Sequence, residues 1–176
     1  MTLEQRIKQS ITEVANFPKP GISYKDITTL FSNPKLCNEV LMELHSQYRS
    51  MNIEAVIGLE SRGFLLGMPL ALQLNIPFIL IRKKGKLPRD TFSVNYQLEY
   101  GNATIEMHKD ALQKNQRVLI HDDLLATGGT ASAAAQLVQM VGADVVAFSF
   151  LVELSFLNGR RALEKFRSPV STFAAY

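Results

Sequence analysis

A chain of 176 residues, 47% hydrophobic and 20% charged, is long enough to bury one α/β core and too apolar to remain disordered. Its net charge of +3 suits an anionic small molecule, and no dense basic helix points to nucleic acid. The single cysteine, Cys37, cannot form an internal disulfide, and no signal peptide or long apolar run is visible. A cytoplasmic protein that neither spans nor binds a membrane is therefore expected.

In chain order, Leu3, Ile7, Ile11 and Val14 mark an amphipathic first helix, and Pro18, Pro20 and Gly21 force a loop. Asn33-Pro34 starts a second helix, with Asn33 as cap and Pro34 at the first helical position. Leu36, Val40, Leu44 and Tyr48 form its buried stripe, and Cys37 is a packing residue on the same helix. The run AVIGLE (55–60) is a strand, followed by a helix over 62–75 that Gly67 to Pro69 should disturb. FILIRK (78–83) is a second strand, and the basic segment KGKLPRDTF (84–92) reads as a mobile loop. VNYQLEY (94–100) and ATIEMHK (103–109) bracket Gly101-Asn102 as a hairpin. VLIHDD (118–123) is a strand, a helix then ends near Gly142, and DVVAFSFLVEL (144–154) is a further buried strand. This alternation predicts one domain over 1–176, α/β in class, with a mostly parallel central sheet flanked by helices. In such sheets ligands sit beyond the carboxyl ends of the strands.

At one such end stands DDLLATGGT (122–130). Gly128 and Gly129 let backbone N–H groups close around an anion, helped by the positive end of the helix and by the hydroxyls of Thr127 and Thr130. Asp122 and Asp123, just upstream, are strong acceptors for paired sugar hydroxyls. Together they fit a ribose 5-phosphate. Alone, Gly-Gly merely turns a chain and Thr130 merely caps a helix; the Asp pair and the strand context favour the ligand. The G-x-x-x-x-G-K-[ST] and G-x-G-x-x-G loops are both absent. His121 should alternate away from Asp122 as a packed side chain with a local partner, and no metal-ligand spacing joins it to His45 and His108.

With FPKPGISYKDI (17–27), ESRGF (60–64), IRKKGKLP (81–88), LEYG (98–101) and LVEL (151–154), this motif resembles the type I phosphoribosyltransferases, and within them the branch acting on adenine. The resemblance runs from about Phe17 to Leu154. It implies the type I phosphoribosyltransferase fold, with a flexible hood or hairpin loop over the active site. It also implies purine salvage: adenine and phosphoribosyl pyrophosphate give AMP and pyrophosphate, with Mg2+ carried mainly on the substrate, in a homodimer.

By that resemblance Ala126, Thr127, Gly128, Gly129 and Thr130 hold the 5-phosphate, and Asp122 and Asp123 the ribose. Arg62, Arg82, Lys83 and Lys86 face the pyrophosphate, the last three needing another subunit or loop closure to reach it. Ser23, Tyr24 and Lys25 bind adenine, Tyr24 by stacking, with Leu154 on the other face. Many relatives carry Val-Phe-Arg where this chain has Ser23-Tyr24-Lys25, and a lysine lacks the planar fork of an arginine. Glu99 is the family's acid-base candidate near the purine, and Tyr100 belongs to the loop that excludes water. Two alternatives stand beside this: the same transfer to hypoxanthine, guanine or xanthine, or a non-catalytic phosphoribosyl pyrophosphate sensor. Only about 16 residues precede the FPKPG loop, too few for the winged-helix module of such a regulator.

Overall fold

The computed structural model describes residues 1–97 and 101–176. Helix α1 (Leu3–Ser10) opens on a reciprocal cap between Thr2 and Gln5 and buries Ile7. It ends before Val14: Ile11 is already extended, and β1 (Thr12–Ala15) pairs antiparallel with β2 (Ser23–Asp26), Val14 opposite Tyr24. The expected first helix is therefore too long. The β-branched Thr12 and Val14 find ladder partners in Asp26 and Tyr24, leaving Val14 37% exposed instead of on a buried stripe.

A short helix, α2 (Thr28–Phe31), leads to α3 (Pro34–Tyr48). The side chain of Asn33 accepts from the Leu36 N–H at 3.1 Å, and Leu36, Val40, Leu44 and Tyr48 are all buried, as their spacing predicts. Cys37 is half-buried, its thiol directed at the Leu30 carbonyl and pushed up in pKa by burial. Strand β3 (Ala55–Leu59) and helix α4 (Gly63–Leu74) follow, and α4 runs unbroken through Gly67 and Pro69. Next come β4 (Phe78–Lys83), β5 (Thr91–Gln97), β6 (Asn102–His108), β7 (Arg117–Leu125), α5 (Gly129–Val141) and β8 (Asp144–Glu153).

The large sheet has the order β5-β6-β4-β3-β7-β8 and then a seventh strand, β9 (Val170–Ala175). Five strands from β4 to β9 run parallel, while β6 lies antiparallel to β4 and β5 antiparallel to β6. The mostly parallel α/β sheet is thus as expected, and β5 and β6 pair as its antiparallel edge, with Asn102 already in the ladder opposite Gln97. The basic segment over 84–92 is shorter than expected, because Thr91 and Phe92 already pair with His108 and Met107. Its turn is tied down by the Gly85 N–H, which donates to Glu106 at 2.9 Å, and by the Arg89–Asp110 ion pair.

Alternation sends successive residues of the inner strands to opposite faces. Ile57, Ile120 and Phe148 meet the small side chains of α5, among them Ala131, Ala134 and Ala135. Val56, Leu119 and Ala147 meet α1, α3 and α4 on the other face. Because β3 and β7 are covered on both sides, their carboxyl ends are held rigidly, and these are the ends that carry Glu60, Arg62, Asp122 and Asp123.

Strand β9 and the three short 3-10 turns before it, beginning at Ser155, Gly159 and Glu164, have no counterpart in the sequence expectations. An ion pair between the half-exposed Arg160 and the buried Glu153 fixes them to the sheet. Arg160 donates to both carboxylate oxygens of Glu153, at 2.7 to 3.0 Å, and to the Val170 carbonyl at 2.8 Å, while Thr172 also donates to Glu153. The Arg160 hydrogen bonds hold the Glu153 carboxyl below its usual range. That stabilisation is present above the unfolded glutamate value and is lost as pH falls through the lower folded one. Arg160→Met should therefore cost about 2 kcal/mol at pH 7, since it strands a buried carboxylate. Urea unfolding should show the deficit shrinking below about pH 4, where the parent loses the same charge pair.

Candidate functional site

The site is assembled from two strand ends and two turns. Strand β7 delivers Asp122 and Asp123 side by side, both at least nine-tenths buried. The Asp123 N–H donates to Asp122 Oδ1 at 2.9 Å. Burial, reinforced by the neighbouring Asp123 charge, pushes the Asp122 carboxyl well above the usual carboxylate range. Asp123 has a cation instead: Arg62 Nε lies 2.6 Å from its Oδ2. From the same guanidinium, Nη1 donates to the Tyr24 hydroxyl at 2.6 Å.

Beyond Leu125 the chain turns through Ala126, Thr127 and Gly128 into α5. Gly128 is left-handed at φ +79, and a Cβ there would lie 2.4 Å from the Gly159 carbonyl oxygen. Gly159 is as confined, since its own Cβ would meet the Ala126 oxygen at 2.2 Å. The turn is thus backed closely by the first residues after β8, a buttress that sequence reasoning missed because Gly159 lies far along the chain. In front of it, the N–H groups of the first turn of α5 lack intrahelical acceptors and face a concavity of about 60 Å³ lined by Ala126 to Thr130. This arrangement is able to bind a phosphate-sized anion.

A larger cavity of about 300 Å³ adjoins it, lined by Glu60, Arg62, Lys83, Tyr96, Asp122, Asp123 and Thr130 among others. Thr130 Oγ1 donates to the Tyr96 hydroxyl at 3.2 Å, which places Tyr96, absent from the sequence expectations, over the anion turn. The alternation of β5 already carried that signal, because Val94 and Tyr96 share one face.

The structure brings together Asp122, Asp123, Ala126, Thr127, Gly128, Gly129, Thr130, Arg62 and Lys83 around these two cavities. Arg82 is elsewhere engaged: it makes two hydrogen bonds to Glu60, at 3.1 and 3.2 Å, while the Lys83 N–H donates to the same carboxylate at 2.7 Å. Lys86 is exposed on the turn after β4, outside the cavity lining. Ser23, Tyr24 and Lys25 lie on β2. The Tyr24 ring meets Phe17 edge-on at 5.1 Å, Ser23 is hydrogen-bonded to Glu13, and Lys25 pairs with Glu13 at 2.8 Å. The Leu154 N–H donates to the Leu125 carbonyl at 2.9 Å, next to the anion turn. Glu99 and Tyr100 lie outside the described residues. His121 is buried, with Nδ1 3.2 Å from Ser149 Oγ, and burial lowers its pKa to about 4; it is the packed side chain that alternation predicts.

Comparison with known proteins accords with this geometry. Residues 26–171 match the family model described as phosphoribosyl transferase domain. The adenine phosphoribosyltransferase of Cytophaga hutchinsonii is 47% identical over 174 residues, covering 99% of this chain and 96% of the relative. The crystal structure of adenine phosphoribosyltransferase from Rhodothermus marinus superposes with a TM-score of 0.92 at 46% identity, over 99% of this chain and 98% of that one. The enzyme from Saccharomyces cerevisiae, complexed with an imino-altritol bisphosphate and adenine, gives 0.89 at 38% identity, over 97% and 98%.

The raised carboxyl of Asp122 has a direct thermodynamic signature. A carboxyl raised on folding contributes stability that is complete below its unfolded value, about 3.9, and is lost as pH rises through the folded value. Asp122→Asn keeps the acceptor for the Asp123 N–H and removes the buried charge. It should melt about 3 °C above the parent at pH 8. At pH 4 the two melting temperatures should coincide, as followed by calorimetry.

Proposed function

The chain belongs to the phosphoribosyl transferase family, and from that premise we propose how its residues carry the reaction. It transfers the 5-phosphoribosyl group from phosphoribosyl pyrophosphate to adenine, giving AMP and pyrophosphate. Transfer to another purine base and a purely sensory role are not favoured, given near-complete coverage by relatives named for adenine. The observation that carries the mechanism is the meeting of the Asp122–Asp123 strand end with the Gly128 turn on the shared wall of two adjoining cavities.

In our assignment the 5-phosphate lies on the N–H groups of Ala126 to Thr130, and the two aspartates receive the ribose hydroxyls. Arg62 and Lys83 face the pyrophosphate. Arg82 keeps Glu60 charge-compensated at the edge of the cavity, and Lys86 reaches the diphosphate only on closure of its turn or from a second subunit. Ser23, Tyr24 and Lys25 form one wall for adenine and Leu154 the other. The bond from C1′ to the pyrophosphate oxygen breaks ahead of bond formation, the developing charge resting on the cations around the leaving group. N9 of adenine bonds to C1′ from the opposite face, and Glu99 takes the proton the base must lose. Tyr100 belongs to the loop that keeps water from the reactive sugar.

Magnesium suits this donor set as a cation carried in on substrate oxygens. Among the described residues no group of three acidic, histidine or cysteine side chains forms a cage for it, while Glu60, Asp122 and Asp123 offer hard oxygen at the cavity wall. When bound it neutralises charge on the diphosphate.

We treat residues 1–176 as one phosphoribosyltransferase domain, cytoplasmic and paired with a second copy. Among the described residues no helix is long and apolar enough to cross a membrane. The homodimer is supported by Leu65, Met68 and Leu72, an exposed apolar stripe on α4, with Met42 exposed on α3.

A spectrophotometric assay of AMP formation with adenine, hypoxanthine and guanine as competing acceptors tests the substrate. Adenine should give the highest kcat/KM, and faster turnover of hypoxanthine would overturn the assignment. Glu99→Gln should lower kcat by about 100-fold with adenine KM within about twofold. Parental turnover in this variant would remove Glu99 from the mechanism.

A further inference from the structure

Tyr176, immediately past β9, stands where the two segments assigned to adenine come together. Its N–H donates to the Glu153 carbonyl at 2.9 Å, and its own carbonyl accepts from the Ser155 N–H at 2.8 Å. The backbone of Tyr176 therefore holds Leu154 from both sides. The ring serves a different wall. Lys25 Nζ lies 4.5 Å from its centroid, with Lys8 Nζ at 5.5 Å.

Lys25 is a confined cation: its Nζ is 2.8 Å from Glu13 and only 14% of its side chain is accessible. Glu13 sits opposite Lys25 in the β1–β2 ladder, and the same carboxylate accepts from the Ser23 hydroxyl. The Lys25 ammonium is thus held between a carboxylate on its own hairpin and an aromatic face on the core. A partly desolvated cation over a tyrosine ring is a favourable and directional contact. The Tyr176 hydroxyl, in contrast, is buried with no hydrogen-bond partner among the described residues, so the ring and not the phenol makes the contact.

We propose that Tyr176 is a positioning residue for the base: its ring anchors the Ser23–Lys25 wall through Lys25 while its backbone fixes Leu154, setting the gap into which adenine enters. This rests on the assignment of Ser23, Tyr24, Lys25 and Leu154 to adenine. The proposal also gives Lys25 a structural part. It is the tether of the base wall to the core, and its ammonium is already committed before adenine arrives.

Steady-state kinetics on the full chain test it with Tyr176→Phe, Tyr176→Leu and Tyr176→Ala, beside Tyr24→Ala as control. Tyr176→Phe should stay within about twofold of the parent in every parameter, because the π face is kept. Tyr176→Leu and Tyr176→Ala should raise adenine KM about fivefold or more, with kcat and the phosphoribosyl pyrophosphate KM within about twofold. Where the alanine variant does not fold, the leucine variant carries the comparison. Parallel losses in kcat and both KM values, or a phenylalanine variant as impaired as the leucine one, would overturn the proposal. So would an unchanged adenine KM in Tyr176→Leu while Tyr24→Ala raises it. If Tyr24→Ala itself leaves adenine KM unchanged, the base assignment fails, and the positioning role fails with it.

Discussion

Two carboxyl groups are held out of water, side by side, at the end of a strand that is covered on both faces. Such a pair is unfavourable wherever both members are charged, and the structure meets the cost unequally. Asp123 is given Arg62 at 2.6 Å. Asp122 is given a backbone N–H, and burial pushes its carboxyl upward. The rest of the site follows from this asymmetry. Arg62 reaches Asp123 from the turn between β3 and α4, and the turn beyond Leu125 opens its amides to the same space. A sugar offering hydroxyls and a phosphate would satisfy both at once.

The rigidity this requires comes from the sheet. Ile57, Ile120 and Phe148 on one face, and Val56, Leu119 and Ala147 on the other, leave β3, β7 and β8 no freedom to shift register. The small side chains of α5 let the helix approach closely, so its amino end stays at a fixed distance from the aspartates. Behind the anion turn, Gly159 and Gly128 come too close for a Cβ on either. The segment after β8 is therefore part of the phosphate site although it contributes no side chain to it. Arg160, bonded to Glu153 and Val170, keeps that segment in place.

What the sequence revealed and what it hid divide by range. The β7–turn–α5 unit is local: an apolar run, two acids, glycines and a small-residue helix all lie within about one supersecondary unit, so it was readable directly. Asn33-Pro34 as a helix start and His121 as a buried side chain were readable for the same reason. Val14 was misplaced because helical spacing in a short window cannot see that β2 offers a ladder partner. Strand β9 was missed because Val170 to Ala175 gains its strand character from pairing with β8, and the three 3-10 turns before it carry no strong periodicity. The Tyr24–Arg62–Asp123 chain joins residues 38 and 61 positions apart, and the Lys25–Tyr176 contact spans most of the molecule. No local pattern reports such pairs. The family resemblance named Tyr24 and Lys25 as base contacts, but only the fold shows how Arg62 and Glu13 engage them.

The account stands or falls on what the amides between Ala126 and Thr130 bind. A crystal structure of the protein grown with AMP measures this directly. The nucleotide phosphate should lie about 3 Å from the backbone nitrogens of Gly128, Gly129 and Thr130, with the ribose hydroxyls on Asp122 and Asp123. AMP bound elsewhere, with that turn facing only solvent, would contradict it.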